Sequence, residues 1–149
     1  MSPEFYLILV LAVLLAVVTH STLRSLLQRK QLRDLARQWH MHFAAGDRLR
    51  IAQRAARHFP VPGAASIQVR NLIFRTEENR HQYLFTVDFT IGIIRGKVGR
   101  SSVAGFEEPV TRGGRTNQTP PVLFLAPRNL SLPAAYRHVL EHLGRESRQ

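Results

Sequence analysis

Near the carboxy-terminal end of the sequence, His138-Val139-Leu140-Glu141-His142 has the H-x-x-E-H spacing of an inverted zincin motif. Two His four apart on a helix can reach one metal, and the intervening acid can serve as a base. Three features oppose that chemistry. The pair falls on the polar side of its helix, opposite Tyr136, Val139 and Leu140. Glu146 is the one acid downstream that offers a third ligand. The motif specifies only three positions, so it arises readily by chance. His138 and His142 therefore stand as weak metal candidates, and an exposed helix face is the expectation.

Other chemical hints are weaker. His40 and His42 are two apart and would share a face on a strand, but no acid or Cys nearby completes a site. Gly92-Ile93-Ile94-Arg95-Gly96-Lys97-Val98 resembles a phosphate loop one residue short. Val98 replaces the hydroxyl that would hold magnesium, and no helix follows. A hairpin end is the better expectation. Asp88, alone on its strand, is expected to pair with a cross-strand Arg. Glu77-Glu78 falls in a turn and Glu107-Glu108 at a strand end. No Ser/His/Asp set is recognisable from spacing. Cysteine is absent, which excludes disulfides, thiolate metal sites and a Cys nucleophile. No catalytic residue and no cofactor is expected.

Charge is the stronger signal. Of 149 residues, 21 are Lys or Arg against 10 Asp or Glu, a formal net charge of +11. The excess is densest between residues 19 and 60, with nine bases against two acids. Arg24, Arg29, Lys30, Arg33 and Arg37 follow one another along a predicted helix, Thr22–Trp39. Arg50, Arg54 and Arg57 recur at i, i+4 and i+7 on a second helix, Arg48–Phe59, for which Asp47 is the expected cap. These eight bases are candidates for anionic lipid or a protein partner, weighed against ordinary solvated helix faces. Nucleic acid is disfavoured. Tyr83, Phe85 and Phe89 share a strand face with Val and Ile, as core residues do, and no nucleic-acid motif is present.

The element that positions the bases lies before them. Phe5–Val18 is fourteen apolar residues without a break, and no fixed charge intervenes between Glu4 and Arg24. As a helix that stretch spans about 28 Å at ~1.5 Å per residue, close to a hydrocarbon core of about 30 Å. A signal peptide fits poorly, since the leading residues carry an acid, no base, and no small-x-small cleavage site follows. The flanking bases predict an amino terminus outside and the remaining chain in the cytoplasm.

The apolar stripe then changes side. Leu23, Leu26 and Leu27 share one helix face; Leu32, Leu35, Ala36 and Trp39 lie on nearly the opposite one. The first half is expected to continue an anchor and the second to pack on a domain. Strands are predicted over Ser66–Arg75, with a bulge at Asn71, and over His81–Ile94, half-buried with strict period 2. Gly96–Gly99 is a predicted turn. Arg100–Glu107 and Val122–Ala126 are further strands, and His40–Ala45 is a short strand or loop. A last helix is expected from a Ser131 cap, with Pro133 in its first turn, to a stop at Gly144.

The segments around Leu35–Trp39, Asp47, Phe59, Val69–Ile73, Tyr83–Phe89 and Leu123–Pro127 resemble a group of uncharacterised bacterial proteins. These combine one amino-terminal membrane span with a small α+β cytoplasmic domain. The sequence lacks the Gly usual before the Trp and has His40 after it. The resemblance implies no activity and no catalytic residue. It implies a bacterial inner membrane location.

The expected fold is thus α+β. A transmembrane anchor covers 1–23 and a basic juxtamembrane helix and linker 24–43. An antiparallel meander of about four strands packed by helices covers 44–144, and a disordered tail 145–149. The expected function is a membrane-anchored, non-catalytic module that docks a partner or the anionic surface, with a homo-oligomer permitted. The alternatives are a metal-dependent hydrolase at 138–142 and a nucleic-acid binder.

Overall fold

The first element, α1, is one unbroken helix from Pro3 to Gln38. Pro sits at its start, where a missing N–H costs nothing, and no Gly or Pro interrupts it afterwards. Its end is a Schellman motif. The Met41 N–H donates to the Ala36 carbonyl at 2.8 Å, and the His40 N–H donates to Arg37 at 3.1 Å. His40 takes the left-handed conformation, φ 54°, that this motif requires. The computed structural model describes residues 3–77, 79–93, 96–110 and 122–146.

The motif turns the chain back along α1. Strand β1, His42–Gly46, follows at once, and Arg33 lies over the Phe43 ring. Next come α2 (Ile51–Arg57), β2 (Ala64–Thr76), β3 (Arg80–Ile93), β4 (Gly96–Pro109), β5 (Phe124–Leu125) and α3 (Leu132–Glu146).

The five strands form one antiparallel meander in chain order. The expected four strands become five because His42–Gly46 pairs with Arg70–Phe74 and counts as an edge strand. The bulge at Asn71 is present: its φ is 52°, and register shifts between Arg70 and Ile73. A second shift falls between Ala65 and Gln68, at Ser66 with φ 53°. The predicted turn at Gly96–Gly99 is strand instead. Ile93 pairs with Gly96 and Gly92 with Lys97, so the ladder runs through the predicted turn; residues 94–95 lie outside the described set. Glu78 also lies outside that set, as do residues 147–149 of the predicted tail.

Two cores flank the sheet. On one face Leu32, Leu35 and Ala36 of α1 join Tyr136, Val139 and Leu143 of α3 against Ile73, Leu84 and Val103. On the other, Ile51 and Ala55 of α2 join Leu123 against Tyr83, Phe85, Val87, Phe89 and Phe106. The expected half-buried β3 is consequently corrected. Every residue from Gln82 to Val87 is buried, because helices cover both faces at that level. Period 2 separates two cores here, not core from water.

α2 also departs from expectation. It spans seven residues, and its N-terminal residue position, Arg50, is left-handed with φ 54°. Asp47 still supplies the cap, its carboxylate accepting from the Ile51 and Ala52 N–H groups at 2.6 and 2.8 Å. α3 continues past Gly144 to Glu146, so that Gly does not end it. Gly105 of β4 admits α3: a Cβ there would lie 2.6 Å from Val139 Cγ1 and 2.9 Å from the Tyr83 carbonyl.

Candidate functional site

α1 has two unlike halves. Every residue from Glu4 to Gln31 is exposed, including all of Phe5–Val18. Leu32 and Ala36, the first and fifth residues after that run, are fully buried. The first half is long and apolar enough to cross a membrane, and none of that window is covered by the rest of the chain. Such an exposed run is compatible with a single-pass membrane protein. Thr19 and Thr22, just past the apolar run, turn their hydroxyls back to the Leu15 and Val18 carbonyls. This keeps their polar atoms satisfied within the helix.

The candidate bases separate on inspection. Arg24, Arg29 and Lys30 are exposed, with no acid within ion-pair distance among the described residues. Arg33 covers Phe43 at 5.8 Å, and Arg37 lies 3.9 Å from Asp34. On α2 the three Arg do not form one free row. Arg50 and Arg57 are exposed, but Arg54 points onto the sheet. It pairs with Glu108 and lies over the rings of Tyr83 (4.9 Å) and Phe106 (5.9 Å). Ile51 and Ala55 form the inward face of the helix, while Leu49 and Ala56 are exposed. In so short a helix, tertiary contacts decide the rotation.

The H-x-x-E-H residues lie together on the outer side of α3, but the His rings are occupied. His142 stacks on Phe124 with centroids 3.7 Å apart, and His138 stacks on the same ring at 5.9 Å. Their contact is to β5, an aromatic packing that the sequence pattern did not signal. Among the described residues no group of three His, Asp or Glu is placed to hold a metal. His40 closes the α1 turn, while His42 packs against Phe74 at 5.4 Å, so the two do not converge. The Tyr83, Phe85 and Phe89 rings are buried under α2 and offer no stacking surface.

Two polar clusters were not foreseen. At the β2–β3 turn, Arg75 meets Glu77 at 2.9 Å and Gln82 at 2.6 Å, and Arg80 meets Glu107 at 3.2 Å. Gln82 is satisfied by Arg75 and Glu107, which explains a buried amide in mid-sheet. Under α3, the Tyr136 hydroxyl donates to the Asn71 carbonyl at 2.7 Å and lies 2.9 Å from Thr86 Oγ1. Burial pushes the Tyr136 phenol well above its ordinary range. The bulge at Asn71 is the local signal, because it turns a strand carbonyl out of the ladder. Asp88 does pair across strands, with Arg70, whose guanidinium is held charged by that carboxylate.

Comparison with known protein families, with curated proteins and with solved structures returned no match to this chain.

Proposed function

We propose that this protein is a single-pass, non-catalytic membrane module whose α1 inserts its first half and carries the α+β domain on its second. One observation carries the reading. The same unbroken helix is apolar and wholly exposed over Phe5–Val18, then buried in the domain core at Leu32, Leu35 and Ala36. Exposing fourteen apolar residues to water is unfavourable by roughly 1.5–3 kcal/mol for each large side chain, and lipid removes that cost. With no hinge between lipid and core, α1 sets the height and angle of the domain.

The domain lies on the cytoplasmic side of a bacterial inner membrane; the bases that follow the apolar run support that orientation. Arg24, Arg29 and Lys30 stand nearest the headgroups, where each base contributes about 1 kcal/mol of attraction to anionic lipid. Arg54 drops out of the lipid set, since Glu108 holds it.

The chain has no native Cys, so introduced thiols report its topology cleanly. Carbonate washing should leave the protein in the membrane. In spheroplasts, an impermeant maleimide should label Ser2→Cys directly and Asn129→Cys only after lysis. Release by carbonate overturns the anchor. Labelling of Asn129→Cys in intact spheroplasts overturns the orientation.

A further inference from the structure

Strand β5 covers only one end of β4. Leu125 and Phe124 pair with Ala104 and Gly105, and the Ala126 N–H donates to the Val103 carbonyl at 2.8 Å. Pro127 follows, with no N–H to extend the ladder. β4 itself continues to Gly96, paired with β3 without a register shift. In an unshifted antiparallel ladder, alternate residues turn both backbone groups to the same neighbour. Val103 turns its carbonyl towards β5, so Ser101, Gly99 and Lys97 turn their N–H and C=O groups to that side. No described residue pairs with them there.

Two clefts open beside this stretch, and both include Ser101. One, about 400 Å³, is lined by Gln68, Thr90, Gly99 and Arg100; the other, about 160 Å³, by Thr86, Pro127 and Arg128. Lys97 and Arg128 are exposed, and Arg100 is partly so. None of the three has an acid at ion-pair distance among the described residues. Arg100 also has a buried Nε without a hydrogen-bond partner there. Asp88, the acid in the larger cleft, is held by Arg70. Exposed bases occur elsewhere, at Arg50 and Arg145 among others; here they flank an unpaired strand edge.

We propose that the Gly96–Ser101 edge of β4 binds an extended acidic segment of a partner protein, which adds to the sheet as a strand in line with β5. Alternating donors and acceptors suit a peptide backbone, which supplies both. The side chains add a charge rule. Lys97 and Arg100 are three apart and on opposite faces of β4, and Val98, 45% exposed, shares the Arg100 face. A matching strand carries two acids three apart, with an apolar residue between them beside the acid that meets Lys97.

Two other occupants bring the wrong charge. The same edge of a second copy would add Lys97 and Arg100 again and no acid, and Lys on a strand edge deters such self-pairing. Residues 111–121 contain Arg112 and Arg115 and no acid. The contact belongs to the sheet and does not depend on α1 spanning a membrane.

The test follows amide exchange by NMR in the full isotope-labelled chain in detergent micelles. Its probe is a short Thr/Val peptide carrying two Glu three apart, with the Gln counterpart as control. In the chain alone, the Lys97, Gly99 and Ser101 amides should exchange quickly, and those of Arg100 and Ser102, turned to β3, slowly. Slow exchange at Lys97, Gly99 and Ser101 overturns the open edge. The same slowing, if it grows with protein concentration, identifies a second copy as the occupant and overturns the acidic partner. The Glu peptide should slow those three amides and bind about tenfold more tightly than the Gln peptide, as two cross-strand charge pairs allow. Equal binding of the two peptides overturns the charge rule, and no binding of the Glu peptide overturns the proposal. Gly99→Pro removes an outward N–H and no bond to β3, so the fold should persist while binding falls about tenfold. Gly99→Ala, whose methyl meets no atom within 4 Å, should bind as the unaltered chain does. Unchanged binding by Gly99→Pro overturns strand addition. Lys97→Glu, at an exposed side chain, should weaken the Glu peptide and spare the Gln peptide; equal effects on both overturn the role of Lys97.

Discussion

The Tyr136 hydroxyl donates to the Asn71 carbonyl across 2.7 Å, joining α3 to β2 at the register shift between Arg70 and Ile73. Thr86 Oγ1 completes the cluster at 2.9 Å. Tyr136→Phe keeps the ring and strands both partners in a buried site. It should cost about 1–3 kcal/mol, read as a lower urea midpoint of the full chain in detergent.

The same residue gives a pH dependence. The folded phenol titrates above its ordinary value near 10 because burial disfavours the phenolate. Its stabilising effect is complete below pH ~10 and is lost as pH rises towards the folded value. Unfolding midpoints should fall above pH ~10, and Tyr136→Phe should flatten that slope.

Gly105→Ala should destabilise by about 1–3 kcal/mol. The added methyl meets Val139 Cγ1 at 2.6 Å, the Tyr83 carbonyl at 2.9 Å and Leu84 at 3.1 Å. A backbone atom cannot yield as a side-chain end can. Thermal unfolding followed by circular dichroism checks this, with Gly46→Ala, where no atom lies within 4 Å, as the mild comparison.

Arg54→Gln should cost about 1 kcal/mol, since it removes a partly exposed ion pair and two ring contacts. Arg50→Gln and Arg57→Gln should each change stability by less than ~0.5 kcal/mol. Equal effects at all three positions would return Arg54 to the solvated face.

Asp47→Ala should lower stability by about 1 kcal/mol, because both carboxylate oxygens serve the first turn of α2. Asp47→Asn should recover much of the loss. Denaturant titration of the three proteins distinguishes a cap from a charge effect.

Much of the architecture was legible from local properties. The exposure of Phe5–Val18 follows from an apolar run with no polar face. The change of stripe after Leu27 marked where α1 meets the domain, the slipped alternation marked the Asn71 bulge, and lone Asp88 marked a cross-strand pair. Each depends on residues adjacent in sequence or on a periodicity they carry.

What tertiary structure alone decided involves groups distant along the chain. α2 is too short to choose its own rotation, so Glu108 and the rings of Tyr83 and Phe106 turned Arg54 inward. β3 alternates two apolar sets, and no sequence period tells a half-buried strand from one covered on both faces. His138 and His142 carry metal-ligand spacing, yet Phe124 became their neighbour only when β5 docked beside α3. Spacing along a chain specifies which side chains share an element's face; packing specifies what that face meets.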